Sequence, residues 1–294
     1  MNPVSSPLHM AFPLGAALIW AVNMVVTKMA AEVISPASIG FYRWLLAGIV
    51  LTPFLLLPCW RNRQLIVPQL GKLAVLGGLG MAMYQGLAYV AAQTTSATNL
   101  GIITSLVPLM TLAMGMIVLR ERPRVLVLLG GVLSLAGIAV LIGEGDPGRL
   151  LHLDIKVGDG LMLLAALSYA LYGLLLRRWP MPFSAWQSMY VQVFFAVVFQ
   201  LPTFLMGEAS PLNAANLPIV LYATVFASLL APYLWMQGIR YLGPARASLF
   251  INIMPFGAAA TAALVLDEQL HLYHIAGGLM TLIGVMLAQR PTKT

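Results

Sequence analysis

The 294 residues carry 60% hydrophobic but only 9% charged side chains, with a formal net charge of +7 and a mean hydropathy of +0.89. Soluble domains have about 25% charged residues, so this chain cannot cover a water-facing surface and reads as an integral membrane protein with little mass outside the bilayer. The basic balance is no nucleic-acid footprint, because the lysines and arginines stand singly or in small groups at the ends of apolar runs, where they set orientation.

A spanning helix needs roughly 20 mostly apolar residues. Ten stretches qualify in chain order: 8–31, 37–58, 72–92, 98–119, 124–143, 159–178, 185–206, 217–239, 245–266 and 272–289. No cleavable signal peptide precedes the first. The connections are short except for 144–158, which joins five spans to five, so the expected halves are 1–146 and 147–294. Of the 16 lysines and arginines, Lys28, Arg43, Arg149 and Lys156 fall on one face and the other twelve on the opposite face. The positive-inside rule then places both termini in the cytoplasm, in a bacterial inner membrane. The single cysteine, Cys59, excludes an internal disulfide.

Polar and aromatic groups at membrane depth must face protein, water or ligand. The first span places Trp20, Asn23 and Thr27 on one helical face, and Arg43 stands early in the second. The third offers Tyr84 and Gln85, and the fourth Ser105 and Pro108 before closing on Glu121. The sixth carries Tyr169 and Tyr172, the eighth Tyr233, Trp235 and Gln237, the ninth Asn252 and Pro255 before Glu268.

These positions repeat. A shift of 147 residues lays Pro108 on Pro255, Glu121 on Glu268, Ser105 on Asn252, Gly130-Gly131 on Gly277-Gly278 and Gly137 on Gly284. A shift of 149 lays Trp20 on Tyr169, Asn23 on Tyr172, Ser35 on Ser184 and Pro53 on Pro202. A chain duplicated at its midpoint, with five spans per half, enters the membrane in opposite senses in its two halves. Inverted repeats of this kind build a substrate site near the midplane and exchange access by exchanging conformations.

On these residues the chain resembles the drug/metabolite transporter superfamily, in its ten-helix EamA-type branch. The features are Gly15 to Trp20 with Lys28 in the first span, Arg43 in the second, and Thr95-Ser96-Ala97 leading into a proline-containing span that ends Leu119-Arg120-Glu121-Arg122-Pro123. Gly243-Pro244-Ala245 runs in the same way to Leu266-Asp267-Glu268, and the paired glycines close each half. The resemblance covers about residues 8–289 and implies an all-α fold of two inverted five-helix repeats. Within the family the chain is most similar to YddG-type amino acid exporters, which implies export of aromatic and other neutral amino acids or related small metabolites.

The expected substrate-binding residues are Trp20, Asn23, Tyr84, Gln85, Ser105, Tyr169, Tyr172, Tyr233, Trp235 and Asn252. Helix packing is the alternative role for the same groups. Pro108 and Pro255 each free a carbonyl one turn earlier, as a gating kink or a passive one, while Glu121 and Glu268 are expected to lock opposite faces. Arg43 either meets a substrate carboxylate or snorkels outward to Glu32 or lipid phosphate, the second being preferred; Lys28 is expected to snorkel too. No Asp or Glu stands at mid-span, which argues against proton coupling and leaves His9 as the titratable candidate.

An enzyme is disfavoured, since Gly143-Glu144-Gly145-Asp146 has no second intramembrane aspartate and no metal, cofactor or phosphate-binding motif occurs. The expected partners are a small-molecule substrate and membrane lipid, with no oligomer required. The competing function is export of lipophilic cations and drugs, or carriage of another metabolite.

Overall fold

In the computed structural model the described residues are 7–119, 125–146, 148–149, 156–242 and 249–288, and their regular elements are all helical. Among the described residues seven helices are long and apolar enough to cross a membrane, and three shorter apolar helices complete ten at the expected places. We number them α1 (Pro7–Val33), α2 (Pro36–Arg61), α3 (Arg63–Ala91), α4 (Ala97–Thr104 and Val107–Leu119), α5 (Val125–Ile142), α6 (Val157–Arg178), α7 (Ala185–Met206), α8 (Leu217–Leu221, Tyr222–Leu230 and Ala231–Leu242), α9 (Leu249–Ile253 and Met254–Val265) and α10 (Leu272–Ala288). The third begins about two turns earlier than hydropathy placed it. Its entry contains Arg63 and Pro68, and a 3-10 turn at Val67–Gln69 takes the proline in its first residues, where the missing N–H is harmless.

Caps repeat across the halves as the sequence does. Ser35 opens α2 by accepting from the Ser38 amide at 3.3 Å, and Ser184 opens α7 by accepting from the Gln187 amide at 3.2 Å. In α7 the cap is reciprocal, since Gln187 accepts from the Ser184 amide at 3.1 Å.

Packing follows a pseudo-two-fold axis. The mates α2 and α7 pack together, as do α4 with α9 and α5 with α10; α1 packs on α8 and α9 just as α6 packs on α3 and α4. The relation is exact enough to read residue by residue at α5–α10. Ser134 donates to the Thr281 carbonyl at 3.0 Å, while the Thr281 hydroxyl, which donates to Gly277 of its own helix at 2.7 Å, lies 3.5 Å from the Ser134 carbonyl. Gly137 lies against Gly277 and Thr281, while Gly284 lies against Gly130 and Ser134. Moving forward on α5 thus means moving backward on α10. The mates run antiparallel, as an inverted repeat requires.

Two π-helical stretches, Gly78–Met83 in α3 and Tyr222–Leu230 in α8, stand at mid-span of mated helices. A π turn leaves carbonyls without their usual helical donor. Side chains of neighbouring helices supply it: Gln200 donates to the Ala82 carbonyl at 3.2 Å and Trp20 to Ala227 at 3.2 Å.

The junction between halves is closed by charge. Glu144 accepts from Lys156 at 2.7 Å and also pairs with Arg149. The Lys156 hydrogen bond, then Arg149, holds the Glu144 carboxyl below its ordinary value, and Glu144 raises Lys156 in turn. A lowered carboxyl contributes stability above its unfolded value, about 4.3, and loses it as pH falls through the lower folded value. Acid scans of the melting temperature should therefore show a step below about pH 4.3 that shrinks in Glu144→Gln; an unchanged step would place the acid sensitivity elsewhere.

Candidate functional site

The sequence-expected aromatics converge where α4 and α9 break. Pro108 falls in the first turn of the second α4 segment and Pro255 in that of the second α9 segment, each directly after an interruption of the α-helix. Neither proline sits in the middle of a bent rod: each restarts a helix at the position where a missing N–H is tolerated. At the α4 break, Ser105 donates to the Ile102 carbonyl at 2.6 Å and Thr104 to Leu100 at 2.7 Å. Ser105 is 2% exposed, so its hydroxyl serves the break and offers nothing to a ligand in this arrangement.

Around these breaks a single apolar cluster gathers Met24 of α1, Tyr84 and Ala88 of α3, Ile103 and Leu106 of α4 and Met162 of α6. Trp20, Tyr169, Phe250 and Ile251 pack against it. Tyr84 and Tyr169 rings stand 4.7 Å apart, and Tyr169 and Tyr172 rings 5.3 Å apart. The α3 π turn brings its backbone onto this group: a methyl at Gly80 would meet the Tyr172 ring at 2.6 Å. On the α1 side, Trp20 faces Trp235 at 5.7 Å. Such an aromatic set presents broad apolar faces with a few hydroxyl and indole handles. Asn23 is buried with its amide 3.4 Å from the Thr27 hydroxyl, and its Oδ1 has no partner among the described residues. Unpaired buried polar atoms are uncommon, and this one lies one turn from Trp20.

Tyr233 stands apart, its ring tilted against Trp186 at 6.0 Å and its hydroxyl accepting from Gln237 on an exposed part of α8. It does not join the central group. Glu121 lies outside the described residues, and so do the side chains of Pro108 and Asn252.

The two cations depart from the snorkelling expected of them. Lys28 does not snorkel into the headgroups but donates to the Ala92 carbonyl at 2.8 Å, closing the end of α3, a favourable place for a cation. Arg43 does not reach Glu32 or the surface. It is 2% exposed, with Nε 2.6 Å from the Ser228 hydroxyl and Nη1 2.9 Å from Gln85 Oε1 and 3.1 Å from the Tyr89 hydroxyl. Gln85 is therefore engaged with Arg43.

At the face opposite the basic loops the start of α4 is held by two carboxylates from the other half. Glu268 Oε1 accepts from the Ala97 amide at 2.8 Å; its Oε2 accepts from the Thr98 amide at 3.3 Å and hydroxyl at 2.8 Å. Anions at a helix N-terminus are stabilised by its free N–H groups and dipole. Asp267 turns the chain for this purpose with φ of 52°, a left-handed conformation that aspartate tolerates better than most residues. Asp159, 1% exposed in the first turn of α6, accepts from the Thr95 hydroxyl and from Asn99 Nδ2 at 3.1 Å. Sequence reading passed over Asp159 because it opens a span. The polar run Thr95 to Asn99 was the available signal, since so many hydrogen-bonding groups at one helix start need a buried partner.

The comparisons agree with this architecture. The model of the EamA-like transporter family matches residues 8–143 and again 156–289. The uncharacterized transporter YyaM of Bacillus subtilis is 25% identical over 94% of this chain and 91% of its own length. An uncharacterized transporter of Archaeoglobus fulgidus is 25% identical over 97% of this chain and 98% of its own. A solved crystal structure shares the fold with a TM-score of 0.61 at 17% identity, covering 96% of this chain and 95% of that one. With one family model filling both halves, and transporters aligned along nearly the whole length, this chain belongs to the EamA-like transporter family, within the drug/metabolite transporter superfamily.

Proposed function

We propose that this transporter exports amino acids, aromatic ones included, or closely related small metabolites by alternating access, and that its two halves, 1–146 and 147–294, exchange conformations about the pseudo-two-fold axis. Both termini lie in the cytoplasm of a bacterial inner membrane in this reading. The observation that carries it is the grouping of Tyr84, Tyr169, Tyr172 and Trp20 beside paired helix breaks at mid-span. Aromatic faces with few charges suit zwitterionic or neutral substrates that carry apolar surface, as YddG-type exporters handle. A lipophilic-cation exporter would want an available acidic group, whereas Asp159 and Glu268 are both engaged with α4.

The test is counterflow in proteoliposomes loaded with unlabelled phenylalanine or tyrosine, with and without an imposed pH gradient. Labelled uptake by wild type, at least tenfold weaker in Tyr169→Ala and Trp20→Ala, is the expected result. Silence with every amino acid would reject amino acid export, and full activity in both variants would reject this location for the site.

A further inference from the structure

Several features of the packing recur in both halves: serine caps on α2 and α7, π turns in α3 and α8, breaks in α4 and α9, small residues at α5–α10. Arg43 does not recur. The 149-residue shift places Gln192 in its position, and Gln192 is a buried neutral amide whose Oε1 has no partner. A cation required by the packing of α2 on α7 would be expected on both helices, because the packing is duplicated.

Its surroundings are unusual for a buried charge. An unpaired buried cation is strongly disfavoured, and native structures supply an opposite charge or shift the proton; a guanidinium cannot lose its proton. Among the described residues Arg43 has no carboxylate within ion-pair distance, only the hydroxyls of Ser228 and Tyr89 and the Gln85 amide, with the Trp44 ring at 5.2 Å. Nε and Nη1 take these acceptors. Nη2 makes no hydrogen bond to any described residue, which leaves one edge of the fork for an incoming acceptor.

The helices that hold the fork also carry the aromatic site: Gln85 follows Tyr84, whose ring stands 4.7 Å from that of Tyr169, and Ser228 follows Ala227, whose carbonyl receives the Trp20 indole. We propose that Arg43 is the receptor for the carboxylate of the transported molecule, so that the substrate class is small carboxylates with an apolar or aromatic body. The planar guanidinium suits a carboxylate through paired N–H···O bonds. The substrate supplies the missing negative charge, and Gln85, Tyr89 and Ser228 keep the fork aimed when the site is empty. This inference rests on the central aromatic site proposed above.

The experiment compares acid and non-acid partners of one shape on the full-length protein in detergent, by thermal shift: L-phenylalanine against L-phenylalaninamide, and 3-phenylpropionate against phenethylamine. Wild type is expected to need at least tenfold less of each acid than of its partner for equal stabilisation. Arg43→Gln should abolish the preference, and Arg43→Lys should retain part of it. Ser228→Ala, which keeps the cation but removes one of the acceptors that aim its fork, should weaken the preference at least threefold and serves where Arg43→Gln does not fold; an undiminished preference there would count against the receptor. Wild type that binds both members equally, wild type that binds none of the four, or a preference surviving in Arg43→Gln would each overturn the carboxylate receptor. Counterflow reads the transport proposal separately: an active transporter with no acid preference removes Arg43 from the site and leaves the carrier standing.

Discussion

Gly137→Leu and Gly284→Leu are expected to be the most destabilising single substitutions in this protein, and to be so by similar amounts. A Cβ at Gly137 would stand 2.6 Å from both the Gly277 carbonyl oxygen and the Thr281 amide nitrogen; at Gly284 it would stand 2.6 Å from the Ser134 amide nitrogen. These obstacles are backbone atoms, which no rotamer change removes, so α5 and α10 must separate. Separation breaks the hydrogen bond from Ser134 to the Thr281 carbonyl as well. In a bilayer the helices gain no hydrophobic drive from meeting, and close van der Waals approach is the main attraction lost. Overpacking typically costs about 1–3 kcal/mol, a fall of several degrees in melting temperature. Gly131→Ala is the control: its Cβ would find only Leu109 Cδ1 at 3.9 Å, an ordinary contact, and alanine's better helix propensity should leave stability equal or slightly higher. Melting temperatures in detergent that fall equally for Gly131→Ala and Gly137→Leu would contradict the close crossing.

The comparison of sequence with structure divides along a physical line. Span number, the five-plus-five division and the antiparallel mating of α5 with α10 were legible, because hydropathy, glycine pairs and prolines are local signals that the duplication prints twice. Symmetry pointed to Tyr169 and Tyr172 as counterparts of Trp20 and Asn23, but Tyr84 and its 149-residue counterpart Tyr233 part company, since Tyr84 lies against Tyr169 and Tyr233 against Trp186. The π turns were not legible: Gly78–Met83 and Tyr222–Leu230 share no sequence motif, and the extra residue per turn is met by donors from other helices, Gln200 and Trp20. Arg43 was misplaced because seven residues into a helix is within reach of the interface, and only the approach of α3 and α8 shuts it in. Ser105 and Asp159 were misjudged alike, since each is defined by a carbonyl or a helix start that sequence does not position.

Glu268→Gln and Asp159→Asn should open the face opposite the basic loops, which the proposed orientation makes the outer one. Glu268 takes three donors at the start of α4, and Asp159 takes two more from Thr95 and Asn99. Both carboxylates belong to the second half and all five donors to the first, so these bonds must break when the halves part at this face. A glutamine at 268 keeps the shape but presents one acceptor oxygen and loses the charge at the helix N-terminus. Hydrogen bonds to charged groups contribute about 1.5–3 kcal/mol, and 1.4 kcal/mol is tenfold in an equilibrium, so the closed state should lose roughly tenfold to a hundredfold in population. The single native cysteine makes the measurement clean: in Cys59→Ser background, Leu100→Cys places a thiol at a fully buried position of α4. An impermeant maleimide added outside intact cells should label it slowly with native carboxylates and at least tenfold faster with either one neutralised. The double variant should be faster still, because each acid holds different donors. Equal labelling in all four backgrounds would mean that α4 is held by its packing alone and that neither carboxylate acts as a latch.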